Sequence, residues 1–292
     1  MIYDIRQTTA CTYASPVAHA HHVLRLTPVN RPGQRVQLAS LKIDPEPVQW
    51  REGKDFFGNS LTSIALEEAH ETLTVKVSAR IAVEPFVMPA ADVAPTWETV
   101  QEEVFASTDI GPMAPSHFLF PSRMVSLDPK IRDYARASFP AGRSLLEGLS
   151  ELTKRIETDM TYDTGATVVT TPAPESFSLR RGVCQDFAHI MIAGLRGIGL
   201  PAAYVSGYLR TTRPPGAARL QGADAMHAWV MAWCGEAIGW VGFDPTNDMI
   251  ASDEHIVLAI GRDYTDVAPL DGVIVAAGGQ HIEVSVNVTP VS

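Results

Sequence analysis

The clearest periodicity in the chain is LTVKVSARIAV, where Leu73, Val75, Val77, Ala79, Ile81 and Val83 alternate with Thr74, Lys76, Ser78 and Arg80. A period of two turns one face of a strand towards a core and the other towards water. Shorter segments at 1–13, 22–27, 35–43 and 60–66 predict further strands. Between them lie the turn signals Arg31-Pro32-Gly33, Asp44-Pro45 and Phe57-Gly58-Asn59. Several short strands with frequent turns predict a small β-sandwich over 1–86. The stretch VMPAADVAPT (87–96) breaks the pattern as a linker, and short helices are expected at 97–105 and 129–139, within a connecting region over 87–143.

Beyond it the period changes. Ser144 stands three residues before Glu147, as in a capping box, and Leu145, Leu149, Leu152 and Ile156 form a helical stripe behind it. After a loop rich in Thr and Pro (164–174), Gly182-Val183-Cys184 opens a second amphipathic helix. Its stripe is Phe187, Ile190, Met191, Gly194, Leu195 and Ile198, and Gly199 and Pro201 supply the stop. HAWVMAW (227–233) and GWVGFDP (239–245) read as two strands of a hairpin, and Ile282, Val284, Val286 and Val288 alternate in a last strand. Strands, then helices, then strands again predict an α+β fold, with the C-terminal strands grouped with the segment 144–292.

Composition adds limits. With 292 residues, 46% hydrophobic and 19% charged, the chain is globular and able to bury a core. A net charge of −10 without a local basic run argues against nucleic acid as a partner. No apolar run approaches the ~20 residues that cross a bilayer, and the N-terminus lacks the basic-then-apolar order of a secretory signal. Three cysteines, Cys11, Cys184 and Cys234, suit a reducing compartment, so the expectation is a cytoplasmic protein with no membrane contact.

The chemistry gathers at Cys184. At the start of a helix, unpaired N–H groups and the positive end of the dipole favour a thiolate, and near His such cysteines titrate at ~3.5 to ~7.5 rather than ~8.5. If Trp233 pairs with Trp240, His227 and Asp244 become diagonal neighbours on one face, within side-chain reach. An Asp on one imidazole nitrogen leaves the other for a thiol. Singly, each of these residues has a bland reading: a packed cysteine, a half-buried strand histidine, a turn-forming aspartate. The combination favours nucleophilic catalysis. No CxxC or HxxxH pair anchors a metal site on Cys184, Cys234 and His227, so neither metal nor cofactor is expected. His189 is expected to face away from Cys184 in a structural role, Cys11 to pack within a strand, and His19, His21 and His22 to lie on an exposed strand edge.

The blocks GVCQDFAHIMIAGLRGIGLPAAYVSGYL, DAMHAWVMAW and GWVGFDPTND resemble the three motif blocks of the transglutaminase-like superfamily. More narrowly, they are similar to bacterial members described as candidate cysteine proteases, and the N-terminal strands with DFFGN (55–59) resemble the domain that accompanies that core. The resemblance implies a papain-like core with Cys184 as nucleophile, His227 as base and Asp244 as its orienter, acting on an amide of a peptide or protein. Members of this family complete the oxyanion hole with a Trp or another donor upstream of the cysteine. Here no Trp lies near, so Tyr162 is the substitute, beside the Cys184 N–H, with Gln185 also within reach of the site. Hydrolysis is favoured over crosslinking; a protein-glutamine transglutaminase and a non-catalytic peptide-binding module are the alternatives.

Overall fold

The N-terminal alternation folds into β1 (Ile2–Val17), β2 (His19–Leu24), β3 (Gln34–Asp44), β4 (Gln49–Lys54), β5 (Ser60–Leu66) and β6 (His70–Val83). The computed structural model describes residues 1–89, 94–210 and 226–291. Positions 90–93 of the expected linker, and Asp224 and Ala225 of the histidine motif, lie outside the described residues. Helices α1 (Trp97–Ala106), α2 (Pro129–Arg136) and α3 (Leu145–Asp159) follow, then β7 (Thr161–Tyr162), α4 (Ala173–Leu179), β8 (Arg181–Gly182) and α5 (Cys184–Gly197). The chain continues through β9 (Ala202–Leu209), β10 (Met226–Trp233), β11 (Trp240–Asp244), β12 (Met249–Ile250) and β13 (His255–Gly261). It ends with α6 (Tyr264–Val267), β14 (Leu270–Val275) and β15 (Gln280–Val291).

Two antiparallel four-stranded sheets, ordered β15-β1-β6-β3 and β14-β2-β5-β4, make the N-terminal sandwich. Leu73, Val75 and Val77 from one sheet meet Leu24, Ile64 and Leu66 from the other in a shared core. The last two strands, grouped by sequence with 144–292, are edge strands of these sheets: β15 pairs with β1 and β14 with β2. Alternation predicts a strand but does not name its neighbour. The same pairing corrects the histidine cluster, because β2 is an interior strand, with His22 turned inward and buried while His19 and His21 stay exposed. Strand β4, QWREGK, escapes the sequence pattern because every residue in it is exposed.

The helical expectations at 97–105 and 129–139 correspond to α1 and α2. Helix α3 starts where predicted but without a side-chain cap on Ser144. Leu145 N instead donates to Pro95 O at 2.9 Å, and Glu147 pairs with Arg143 at 3.8 Å. A five-stranded antiparallel sheet, β12-β11-β10-β9-β13, carries α5 on one face. Gly194 is what lets α5 approach α2: a Cβ there would sit 2.7 Å from Ala135 Cβ.

Side-chain amides fasten the sandwich to this sheet along β13. An edge strand exposes unpaired N–H and C=O groups. Gln34 accepts from Val257 N at 2.8 Å and donates to its carbonyl at 2.9 Å, and Asn59 does the same for Ile260, at 2.8 Å both ways. Each amide thus stands in for a strand partner. Tyr3, Ile5, Ile81 and Val288 from the sandwich pack beside these bonds against Tyr208, Ile256 and Leu258.

Candidate active site

Cys184 is the first residue of α5, where a backbone N–H has no carbonyl within the helix to bond. Asp186 fixes this helix start: its Oδ2 accepts from Val183 N at 2.8 Å and from Thr167 Oγ1 at 2.7 Å. Burial raises the Asp186 pKa, against the lowering effect of those two bonds. Gly182 is required alongside, since a Cβ there would lie 2.5 Å from Asp186 Oδ2. The apolar stripe predicts one buried face, yet every residue from Cys184 to Arg196 is buried. Helices on one side and the sheet on the other enclose α5, and even Arg196 is internal. Its guanidinium donates to the carbonyls of Phe118, Phe120, Ala202 and Arg262, and burial pulls its pKa down to about 10. What exposure Cys184 keeps, 9%, is at a cavity of about 340 Å³ that it lines together with His227 and Tyr204.

The hairpin has the expected register, with Trp233 opposite Trp240 and Val230 opposite Phe243. One further step places Asp244 across from Trp229 and diagonal to His227. His227 Nε2 donates to Asp244 Oδ2 at 2.8 Å, with both side chains fully buried. That bond fixes the imidazole proton on Nε2 and leaves Nδ1, which has no hydrogen-bond partner, as the nitrogen available to a thiol. Burial works to lower the His227 pKa. The charge and hydrogen bond of Asp244, assisted by Cys184, overcome it and hold the imidazole well above its ordinary value. Asp244 is the mirror case, with burial opposed and outweighed by His227 and then by His255, so its carboxyl stays well below the usual carboxylate range.

Asp244 has more partners than sequence reasoning finds. His255 Nε2 donates to the same Oδ2 at 3.3 Å and Asn247 Nδ2 at 2.8 Å, while Oδ1 accepts from Thr246 N at 2.9 Å. His255 Nδ1 accepts from Ser252 N at 3.4 Å, which places the His255 proton on Nε2. Four donors therefore converge on one buried carboxylate. His255 opens β13, eleven residues after Asp244, and its local pattern is that of a packed strand start; only the tertiary pairing of β13 with β9 brings it here. Tyr204 also escapes the sequence reading. It faces the cavity from β9, and burial, then the charge of Cys184, push its hydroxyl well above its ordinary pKa.

The other predicted residues divide. Tyr162, on β7 opposite Gly182, lies within the field of Cys184; burial first and that charge second push its pKa to about 12. Gln185 lines the cavity, but its amide nitrogen is engaged by Val169 O at 2.8 Å. His189 accepts from Tyr264 N at 3.2 Å and stacks obliquely on Tyr204, and burial lowers its pKa to about 4, so it is neutral. Cys11 is buried in β1. Cys234 follows the far end of β10 from His227 and is not brought to Cys184. Burial raises the pKa of both these thiols. His227, Asp244 and His255 present three ligand atoms within 4.8 Å of one another. In this arrangement His227 Nε2 and His255 Nε2 both donate to Asp244 Oδ2.

Residues 3–82 match the bacterial transglutaminase-like N-terminal region, and residues 133–245 match the transglutaminase-like superfamily. An uncharacterised protein of Mycobacterium tuberculosis is 37% identical over 99% of this chain and 92% of its own length. A protein-glutamine gamma-glutamyltransferase of Pseudomonas aeruginosa is 39% identical over 32% of this chain and 15% of its own. The crystal structure of a candidate cysteine protease from Cytophaga hutchinsonii superposes with a TM-score of 0.75 at 23% identity, covering 100% of this chain and 92% of that one, which is agreement in fold.

Proposed function

The chain belongs to the transglutaminase-like superfamily, and on that premise we propose that it is a cysteine-dependent acyl-transfer enzyme acting on amide bonds of a peptide or protein, with water as the usual acceptor. The observation that carries this reading is His227, anchored through Nε2 to Asp244 with Nδ1 left open, on a cavity wall shared with Cys184. The raised imidazole pKa favours a protonated His227 beside Cys184, the form that can hand a proton to a leaving amine.

The Cys184 thiolate attacks the amide carbonyl and forms the carbon–sulfur bond. The Cys184 backbone N–H and a tyrosine hydroxyl, from Tyr204 or Tyr162, receive the developing oxyanion. Both phenols have raised pKa values and so remain donors at neutral pH. Collapse of the intermediate breaks the carbon–nitrogen bond as His227 Nδ1–H protonates the leaving amine. The now neutral His227 then takes a proton from water, whose oxygen displaces the thiolate from the thioester and releases the acid. Asp244, held by four donors, keeps the ring oriented through both halves. Three unpaired thiols fit a reducing compartment, and we place the protein in the cytoplasm.

Crosslinking would replace that water with a lysine amine; the Pseudomonas aeruginosa relative is named for glutamyl transfer. Casein incubated with the protein and a fluorescent primary amine separates the two. Peptide release without amine incorporation is expected; incorporation without release would replace hydrolysis with transfer. Neither release nor incorporation by the wild type would remove the enzyme reading and leave a binding module, and product that persists in Cys184→Ala would remove Cys184 as the nucleophile.

A further inference from the structure

Part of the lining of the Cys184 cavity comes from the first sheet of the N-terminal sandwich. Gln7 and Thr9 from β1, and Ile282 and Val284 from β15, line it together with Met226 and Leu270. Register accounts for this, because Thr9 pairs with Val284 and Cys11 with Ile282, placing these side chains on the inward face of the sheet. Elsewhere that face is covered: Val288 is 7% exposed and packed against Tyr208 and Ile256. At the cavity it is not, and Ile282 and Val284 remain 43% and 42% exposed. The polar groups behind them are already bonded, Gln7 Nε2 to Thr9 Oγ1 at 3.1 Å and Gln7 Oε1 to the Tyr208 hydroxyl at 2.5 Å. Among the described residues no Asp, Glu, Lys or Arg lines this cavity.

We propose that the N-terminal sheet, completed by the C-terminal strand β15, forms the acyl-side subsite, and that it selects substrates whose acyl group is uncharged and aliphatic or aromatic. The inference rests on Cys184 being the residue that receives the acyl group. Two half-exposed aliphatic side chains that share a cavity with a nucleophile gain by covering with apolar surface. A carboxylate or ammonium seated against these side chains would lose hydration with no Asp, Glu, Lys or Arg among the described lining residues to meet it, and the charge on His227 is already paired with Asp244. This subsite gives the N-terminal sandwich a direct part in choosing the substrate.

The test is a binding comparison on the full chain carrying Cys184→Ala, so that it does not depend on turnover. N-methylhexanamide and the monoanion of adipic acid mono-N-methylamide serve as probes of equal acyl length, with dissociation constants from NMR titration. The neutral probe is expected to bind at least about tenfold more tightly, the ratio for roughly two methylene groups leaving water. Val284→Asp should abolish this preference, and Val284→Ser should weaken it. Glu283→Ala, on the other face of the strand, should leave it intact. Thermal melts of each variant identify any that fail to fold, and Val284→Ser then carries the comparison. Equal binding, tighter binding of the anion, no measurable binding of the neutral amide, or a preference that survives both Val284 variants would overturn the proposal. Iodoacetamide labelling of the intact chain reports the nucleophile separately. Slow labelling with the preference retained removes only the catalytic reading, and fast labelling without it removes only the subsite.

Discussion

Asp244→Asn isolates the charge of the proposed orienter from its shape. The carboxylate meets three donors at Oδ2 (His227, His255 and Asn247) and one at Oδ1, Thr246 N. An amide must turn its NH₂ towards one side or the other. Facing Oδ2 it would oppose three donors, so the favoured orientation keeps the carbonyl there and sets NH₂ against Thr246 N–H. His227 then retains its Nε2–H tautomer but loses its counter-charge. Replacing a charge-assisted bond with a neutral one costs about 1–2 kcal/mol of imidazolium stabilisation, and the unpaired Thr246 N–H is a separate cost to folding. Burial, the opposing influence on His227, then acts almost alone and lowers its pKa. The imidazolium is disfavoured at neutral pH, and the rate at which Cys184 alkylates should fall by roughly 5- to 30-fold. The assay is the second-order rate with iodoacetamide as a function of pH, with the label located by mass spectrometry and folding checked by circular dichroism. A folded variant with the wild-type rate and pH profile would show that the Asp244 charge does not activate Cys184.

Three further outcomes follow from the same contacts. His255→Phe removes one donor from Asp244 and should slow Cys184 alkylation about tenfold, while His255→Gln, which keeps an N–H, should restore most of the rate; the alkylation assay reads both. Asn59→Ala leaves the Ile260 N–H and C=O unpaired on a buried edge and should lower the thermal midpoint by roughly 5–10 °C in a calorimetric scan. Asp244 and Asp263 have depressed pKa values, so their stabilisation is present above the unfolded carboxylate range and is lost as pH falls below about 4. His227 has a raised pKa, so its share is full below about 6.5 and lost as pH rises through about 10. Denaturant midpoints measured against pH should therefore form a plateau that falls at both ends.

Much of this site is legible in the sequence because its parts are local. The start of α5 at Cys184 is written in Gly182, the following stripe and Gly199. The hairpin register follows from two tryptophans and a six-residue turn, and it carries His227 to Asp244. What is not legible depends on contacts far apart in the chain. His255 reaches Asp244 only after β13 pairs with β9, and Ile282 and Val284 reach the cavity only after β15 pairs with β1. The amphipathic stripe of α5 understates its burial because periodicity registers one apolar face, while small residues such as Ala188 and Ala193 pack on the rest without adding contrast. The capping-box pattern at Ser144 marks the right helix start for a different reason, the carbonyl of Pro95.

In the proposed function Cys184, at the start of α5 beside His227, is an activated thiol. Cys11 and Cys234 are internal controls, both buried and both with pKa values raised by burial. The direct measurement is residue-resolved iodoacetamide labelling of the native protein at neutral pH, against a free thiol at the same pH. Cys184 is expected to label faster than the free thiol while Cys11 and Cys234 stay unlabelled until the chain is denatured. Labelling of Cys184 no faster than the free thiol would contradict that.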